Sequence, residues 1–141
     1  VIGHLWIALG ARQRGLRRLE RAASLRPGWY APHIAMGLAH ARQDQHAQAL
    51  GAFRRALEDD RRRVERNPIV IRALARSFIV RAEQVEREGR ADVARGLVSE
   101  ALRLDLRWAS GPQRFELERR RAALALGTGS DIGLKRLQAG T

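Results

Sequence analysis

The sequence predicts an all-α fold in which antiparallel helix-turn-helix repeats stack as a short α-solenoid with a C-terminal capping helix. Alanine, leucine and arginine dominate the 141 residues, and these residues lose little side-chain freedom in a helix. Similar stretches recur along the chain, and glycine, proline or asparagine interrupts it at intervals. Hydrophobic residues make up 45% of the chain, which is enough for one domain with a core.

The repeat is clearest between residues 10–27 and residues 44–61, which align at an offset of 34, so that Leu19 corresponds to Phe53. A third copy, residues 89–106, follows at an offset of 45 because additional residues lie between the second and third copies. Self-similarity at a fixed period is typical of stacked supersecondary units that bury a continuous core.

Small residues recur at three positions of each copy, and a large apolar residue recurs at a fourth. These sets are Gly3, Gly37 and Ala82; Gly15, Ala49 and Ala94; Ala22, Ala56 and Ala101; and Leu19, Phe53 and Val98. The pattern resembles the tetratricopeptide repeat (TPR), a 34-residue helix-turn-helix unit, over residues 1–106. The resemblance implies that the small residues lie where the two helices of a unit cross.

The elements follow from the interruptions at Gly10, Pro27-Gly28, Asp44, Asn67-Pro68, Gly89 and Gly111-Pro112. They place helices at 1–9, 12–25, 30–43, 46–66, 69–88, 91–104 and 112–126. The additional segment, 61–74, is predicted to lengthen two helices to about 20 residues, divided by a turn, so that both project beyond the repeat body.

Residues 1–126 are predicted to form one repeat domain and residues 127–141 a flexible, glycine-rich tail. A stacked array needs its ends covered, and the last helix supplies apolar residues for that role. They are Phe115, Leu117, Ala122, Leu124 and Leu126.

The sequence offers little for catalysis or cofactor binding. It has no cysteine, no phosphate-binding loop and no serine with a histidine nearby in sequence. His33 and His40 lie seven residues apart, which is wider than usual metal-ligand spacing, and both fall on packing positions of the repeat. We therefore predict no catalytic residues, cofactor, metal ion or small-molecule substrate.

In the TPR family, fixed positions of the first helix of each unit line a concave binding groove. The resemblance implies an apolar part of the groove in the second copy and a mixed-charge part in the third. The matching residues are Ala31, Ile34, Leu38, Ala41 and Arg42, followed by Arg76, Ile79, Glu83, Glu86 and Arg87. The alternative is that these positions are plain helix surface or pack against another part of a longer protein.

The net charge is +12, and Lys135 is the one lysine, so arginine carries nearly all the positive charge. Heavy arginine use also occurs in proteins from GC-rich genomes, but clustered arginine attracts phosphate or acidic partners. Nucleic acid is the less favoured partner because no aromatic residue interleaves the cluster. The predicted basic patch is Arg54, Arg55, Arg61, Arg62, Arg63 and Arg66.

The N-terminal residues allow two interpretations. Residues 1–11 are apolar and are followed by several arginines, which would suit the cytoplasmic end of a membrane helix with its upstream half missing. The same pattern suits a buried repeat helix followed by a solvated one.

The predicted function is a non-catalytic protein–protein interaction scaffold of TPR type, forming a subunit or segment of a larger assembly. A protein or peptide partner is expected, and an acidic one suits the charge. The alternative is a basic accessory module on an anionic surface, either RNA or the cytoplasmic membrane leaflet, held there by an upstream membrane helix. The expected location is the cytoplasm or the inner face of a membrane.

Overall fold

The computed structural model describes the backbone of residues 2–139 and the side chains of residues 9–127. Within these residues the protein is all-helical and contains no strand. The helices are α1 (Ile2–Leu25), α2 (Tyr30–Arg42), α3 (His46–Glu65), α4 (Pro68–Arg87), α5 (Ala91–Leu102) and α6 (Gly111–Ala139).

The helices pack as consecutive antiparallel pairs, α2 with α3 and α4 with α5, and the first helices of neighbouring pairs, α2 and α4, are also in contact. This arrangement confirms the predicted all-α helical repeat. Ala49 and Ala56 of α3 are fully buried, as are Ala94 and Ala101 of α5, so small residues lie at the helix crossings as expected. The core is completed by large side chains between the pairs, chiefly Phe53, Ile71, Leu74, Phe78, Val85 and Val98.

Left-handed turns separate the paired helices. Asp44, between α2 and α3, has φ 56°, and Gly89, at the corresponding place between α4 and α5, has φ 77°. Gly10 occupies this place in the first copy, yet α1 continues through it, so the predicted division into helices 1–9 and 12–25 is wrong. Glycine permits the left-handed conformation without requiring it, and the surrounding alanine, leucine and arginine favour a continuous helix.

The additional segment is part of the core and does not project from it, which corrects the sequence-based prediction. Helices α3 and α4 are each 20 residues long, as predicted, and Val64, Val70 and Leu74 from the inserted residues are buried. The connection from α5 to α6 lies over this segment: the amide of Asp105 donates to Glu65 Oε2 at 2.5 Å.

Local capping fixes where the inserted helices begin. Asn67 Oδ1 accepts from the amides of Ile69 and Val70, and Pro68 occupies the first helical turn of α4, where a missing N–H costs nothing. Inside α3, Asp60 has non-helical angles (φ −154°, ψ 82°), and its Oδ1 accepts from the amide of Arg63 at 3.3 Å. Asp60 therefore caps a second, short helical stretch at the end of α3.

Helix α6 covers the end of the array, packing on α4 and α5. Ser110 and Gln113 form a reciprocal capping box before it, each side chain accepting from the other's amide at 3.2 Å. Of the five apolar residues predicted for the cap, Leu117 and Leu124 are buried, whereas Phe115, Ala122 and Leu126 are exposed. A helix docked along one face buries residues seven apart, and the other three lie on the outer face.

The helical backbone of α6 continues to Ala139, so the predicted helix end at Leu126 is wrong. The predicted flexible tail, 127–141, falls almost entirely outside the residues whose side chains are described. The same is true of Gly3, the match to the repeat pattern at the start of α1.

Candidate binding groove and basic cleft

The predicted groove residues of α2 face α4. Ile34, Leu38 and Ala41 are half-buried against the core, and Arg42 is exposed at the C-terminal end of the helix. Ala31 is half-buried near the start of α2. The 3.6-residue helical period explains this sharing of one face by positions three or four residues apart.

The structure brings Leu38, Ala41, Arg42 and Arg76 together around a concavity of about 230 Å³ between α2 and α4. Two further residues of α4, Ile69 and Ala73, complete its lining. We call these six residues the α2–α4 groove. Its floor is apolar, and an arginine stands at each side.

The sequence did not reveal two groove residues, Ile69 and Ala73. Ile69 leaves 71% of its surface exposed, although it lies beside half-buried Ala73. Ile69 belongs to the additional segment, so repeat positions carried over from other copies do not reach it. The available signal was the Asn67 cap, because a cap defines where a helix begins and so places Ile69 in the first turn of α4.

Apart from Arg76, the predicted groove residues of the third copy lie outside the α2–α4 groove and have a different environment. Glu83 and Glu86 both bind Arg120 of α6, which also pairs with Glu116 at 2.9 Å. Arg87 lies 3.8 Å from Glu83, and these groups border a concavity of about 460 Å³ between α4 and α6. Ile79 packs against the core. The ten predicted residues therefore do not form one continuous surface, because α6 occupies the third-copy part.

The predicted basic patch is also divided. Arg54 pairs with Glu100 of α5 through two bonds of 2.7 and 2.9 Å, with its guanidinium 5.9 Å from the Phe78 ring centre. This hydrogen bonding raises the pKa of Arg54 above its ordinary value. Arg54 therefore links the second and third repeats, and this role is structural.

Arg55 and Arg61 are engaged with other parts of the chain. Arg55 lines a cleft between α1 and α3 together with Asp59. Arg61 lies 3.2 Å from Glu65 and donates to the carbonyl oxygen of Arg103 at 3.1 Å. Arg61 therefore helps to hold the α5–α6 connection in place.

Arg62, Arg63 and Arg66 converge on a cleft of about 570 Å³ between the start of α2, the end of α3 and the start of α4. Tyr30, Ile34, Asn67 and Pro68 complete the lining of this cleft, which we call the basic cleft. No carboxylate is among these seven described lining residues. The short helical stretch capped by Asp60 and the cap at Asn67 bring the three arginines to one place.

Tyr30 and Arg63 form an arginine–aromatic pair inside the basic cleft. Arg63 Nη1 donates to the Tyr30 hydroxyl at 3.1 Å, and the guanidinium lies 5.6 Å from the ring centre. The hydrogen bond to Tyr30 raises the pKa of Arg63 above its ordinary value. A second such pair, Arg26 with Trp29, lies next to it in the chain, at 5.2 Å. The sequence did not reveal these neighbours, because Tyr30 and Arg63 are 33 residues apart.

A serine–histidine pair forms that the sequence did not predict. His46 Nδ1 lies 3.0 Å from Ser77 Oγ, and His46 Nε2 lies 3.5 Å from an Asp44 carboxylate oxygen. Ser77 has no exposed surface and His46 only 3%, so a substrate has no access to the hydroxyl. The pair joins α3 to α4 and satisfies two buried polar groups.

The described residues contain neither a cluster of metal ligands nor a helix that could span a membrane. Among the residues that the structure describes, no three histidine, aspartate or glutamate side chains are grouped to hold a metal ion. His33 lies 3.8 Å from Asp59, and His40 Nδ1 lies 2.8 Å from Gln45 Oε1. In the same part of the chain, no helix combines the length and apolar character needed to span a membrane.

Together, the fold and these two surfaces define the chain as an all-α helical-repeat protein. It matches no protein-family model, no curated protein and no solved structure. The TPR resemblance therefore stays a prediction that depends on the residues of this chain alone.

Proposed function

We propose that the protein is a non-catalytic interaction module of TPR type that binds a peptide segment of a protein partner in the α2–α4 groove. The observation that carries the proposal is the exposure of Ile69, at 71%, beside the half-buried Leu38 and Ala73. A large apolar side chain left in water next to an apolar floor is typical of a binding surface.

The charges of the groove favour an acidic peptide. Arg42 is exposed, and within the described residues Arg76 has one ion pair, 4.0 Å from an Asp44 that is itself 80% exposed. An exposed pair at that distance contributes little, so both arginines are available to a carboxylate. The volume of about 230 Å³ suits one apolar side chain, flanked by acidic residues.

Other features agree with a binding role. The buried Ser77–His46 pair offers no nucleophile to a substrate, and we expect no turnover. We propose a cytoplasmic location, with which the absence of cysteine is consistent.

The test is selection from a displayed library of random 12-residue peptides, followed by affinity measurement with labelled synthetic peptides. We expect the selected peptides to combine one or two large apolar residues with aspartate or glutamate. Ile69→Ser and the double variant Arg42→Glu/Arg76→Glu should each weaken binding at least about tenfold, which corresponds to about 1.4 kcal/mol.

Matched controls separate the groove from general properties of the surface. Leu25→Ser removes an apolar side chain of similar exposure (76%) at the end of α1, and Arg17→Glu/Arg18→Glu makes the same change in charge there. The proposal is wrong if these controls weaken binding as much as the groove variants, or if no groove variant changes affinity.

A further inference from the structure

We infer that the basic cleft is a second binding site, separate from the α2–α4 groove, and that it binds single-stranded nucleic acid. In the sequence, nucleic acid was the less favoured partner because no aromatic residue lies within the arginine cluster. The fold supplies what the linear sequence lacks, because it places Tyr30 against Arg63.

The arginines of the cleft provide binding capacity for phosphate. Arg62 and Arg66 are exposed, and neither guanidinium forms a hydrogen bond or ion pair within the described part of the chain. Arg63 is partly engaged, by Tyr30 and by Asp60 at 3.5 Å. The charge of Arg66 also acts on Asp105 at longer range. Both guanidinium groups remain able to bind phosphate oxygens through their planar forks.

The size and lining of the cleft suit a nucleotide. A volume of about 570 Å³ lies within the range of small-molecule sites, and Tyr30 and Ile34 supply an aromatic and an aliphatic surface there. Bases of single strands stack on aromatic rings and on guanidinium planes, whereas carboxylates have no flat aromatic surface to stack on a ring. The combination of arginines with Tyr30 therefore favours nucleic acid over an acidic polypeptide.

The position of the basic cleft leaves it open to a strand of nucleic acid. The Arg61–Arg66 stretch, in which the arginines are exposed and Val64 is buried, separates it from a second concavity, lined by Arg61, Arg62, Glu65, Arg66, Asp105 and Arg107. Arg62 and Arg66 border both, so a strand leaving the cleft would pass along the same two guanidinium groups.

The experiment measures fluorescence anisotropy of labelled 12-nucleotide oligouridylate and oligothymidylate from 50 to 300 mM salt. We expect saturable binding that weakens with salt. Arg62→Gln/Arg66→Gln should reduce affinity and lower the slope of log K against log salt by about 1.4, which is the loss of two single-strand phosphate contacts. The two probes show whether the 2′-hydroxyl contributes.

The matched control is Arg17→Gln/Arg18→Gln, which removes the same charge from exposed positions on α1. Equal losses for the two double variants would show that only the net charge of the protein attracts nucleic acid, and would overturn the proposal. Each variant is first checked for an unchanged helical circular dichroism signal and melting temperature.

A second pair of variants tests the ring. Tyr30→Phe keeps the aromatic surface and loses the hydroxyl, whereas Tyr30→Leu loses the ring. We expect Tyr30→Leu to weaken binding about five- to 100-fold with an unchanged salt slope, and Tyr30→Phe to have a small effect. If the two variants weakened binding equally, the ring would not contribute by stacking, and the proposal would be wrong.

Competitors distinguish nucleic acid from other anions. Polyglutamate at equal charge, or vesicles containing phosphatidylserine, should displace the oligonucleotide poorly. Efficient displacement by either, abolished in Arg62→Gln/Arg66→Gln, would assign the cleft to that anion and overturn the proposal. Peptide binding in the α2–α4 groove should be unaffected by all cleft variants, so the two proposals can fail independently.

Discussion

Gly37 shows how a single residue sets the spacing of a repeat. It is buried in α2, where this helix crosses α3, and a Cβ at this position would lie 2.5 Å from Cε1 of Phe53. Phe53 is fully buried in the core and has no room to move. The small residue at this repeat position and the aromatic residue at another are therefore a matched pair.

We predict that Gly37→Ala destabilises the protein by about 1–2 kcal/mol, despite the higher helix propensity of alanine, because overpacking a rigid core costs about 1–3 kcal/mol. Urea unfolding followed by circular dichroism measures the change. Combining it with Phe53→Leu should recover part of the loss, since the ring is the clashing group.

Gly51 is the control for this prediction. It is exposed on α3, and a methyl group added there would have no heavy atom of the described neighbouring residues within 4 Å. Gly51→Ala should therefore stabilise the protein by up to ~1 kcal/mol through propensity alone. A stabilising Gly37→Ala would contradict the close crossing.

Helix α6 contacts the array through one arginine as well as through apolar side chains. Arg120 is only 13% exposed and contacts carboxylates of Glu83, Glu86 and Glu116. Leu117 and Leu124 supply the buried apolar contacts of this helix. The position of α6 thus depends on the charge of α4 at that end.

We predict that Arg120→Met loosens α6 and destabilises the protein by about 1–2 kcal/mol. The three carboxylates would then lose the cation that contacts all of them. Arg119 still pairs with Glu116 and Arg87 still lies 3.8 Å from Glu83, so these contacts and the partial exposure of the carboxylates moderate the cost. Amide hydrogen exchange along residues 113–124 should accelerate.

Arg121→Met is the control, since Arg121 and its partner Glu118 are 63% and 54% exposed, and such pairs contribute little. Unchanged exchange in Arg120→Met, or equal acceleration in Arg121→Met, would show that α6 is held by apolar contacts alone.

Across the protein, carboxylates paired with arginines offset part of the excess positive charge. The chain has 27 lysine and arginine residues and 15 acidic ones. Hydrogen bonds from Arg119, and then the charges of Arg119 and Arg120, lower the pKa of Glu116 below its ordinary value. Hydrogen bonds from Arg107 lower the pKa of Asp105 in the same way.

We predict that the free energy of unfolding falls as the pH drops below about 4.5. Carboxylates with a lowered folded-state pKa contribute stability above their ordinary pKa, and this contribution is lost as the pH falls through the lowered value. Their protonation also leaves the positive charges unopposed, so the loss should be smaller at 0.5 M salt.

Urea unfolding at pH 7, 5, 4 and 3 measures this dependence. Glu116→Gln should be less stable than the unchanged protein at pH 7, and the difference should shrink toward pH 3. A stability that is constant or rises between pH 5 and pH 3 would contradict the prediction.

The sequence alone was enough to predict the helical class, together with the pairing of helices and the crossing residues of the second and third copies. These features follow from local helix preference and from the recurrence of small residues such as Ala49 and Ala56, which both copies need for the same packing reason. It also located the turn at Asn67-Pro68, because a side-chain cap acts over two or three residues.

Tertiary contacts alone determine where α6 lies and which arginines are engaged. Each of these depends on contacts between residues far apart in sequence, such as Arg54 with Glu100, Arg120 with Glu83, and Tyr30 with Arg63. A linear pattern carries the period of a helix but not the identity of the side chain across an interface, so the α2–α4 groove and the basic cleft depend on how the helices pack.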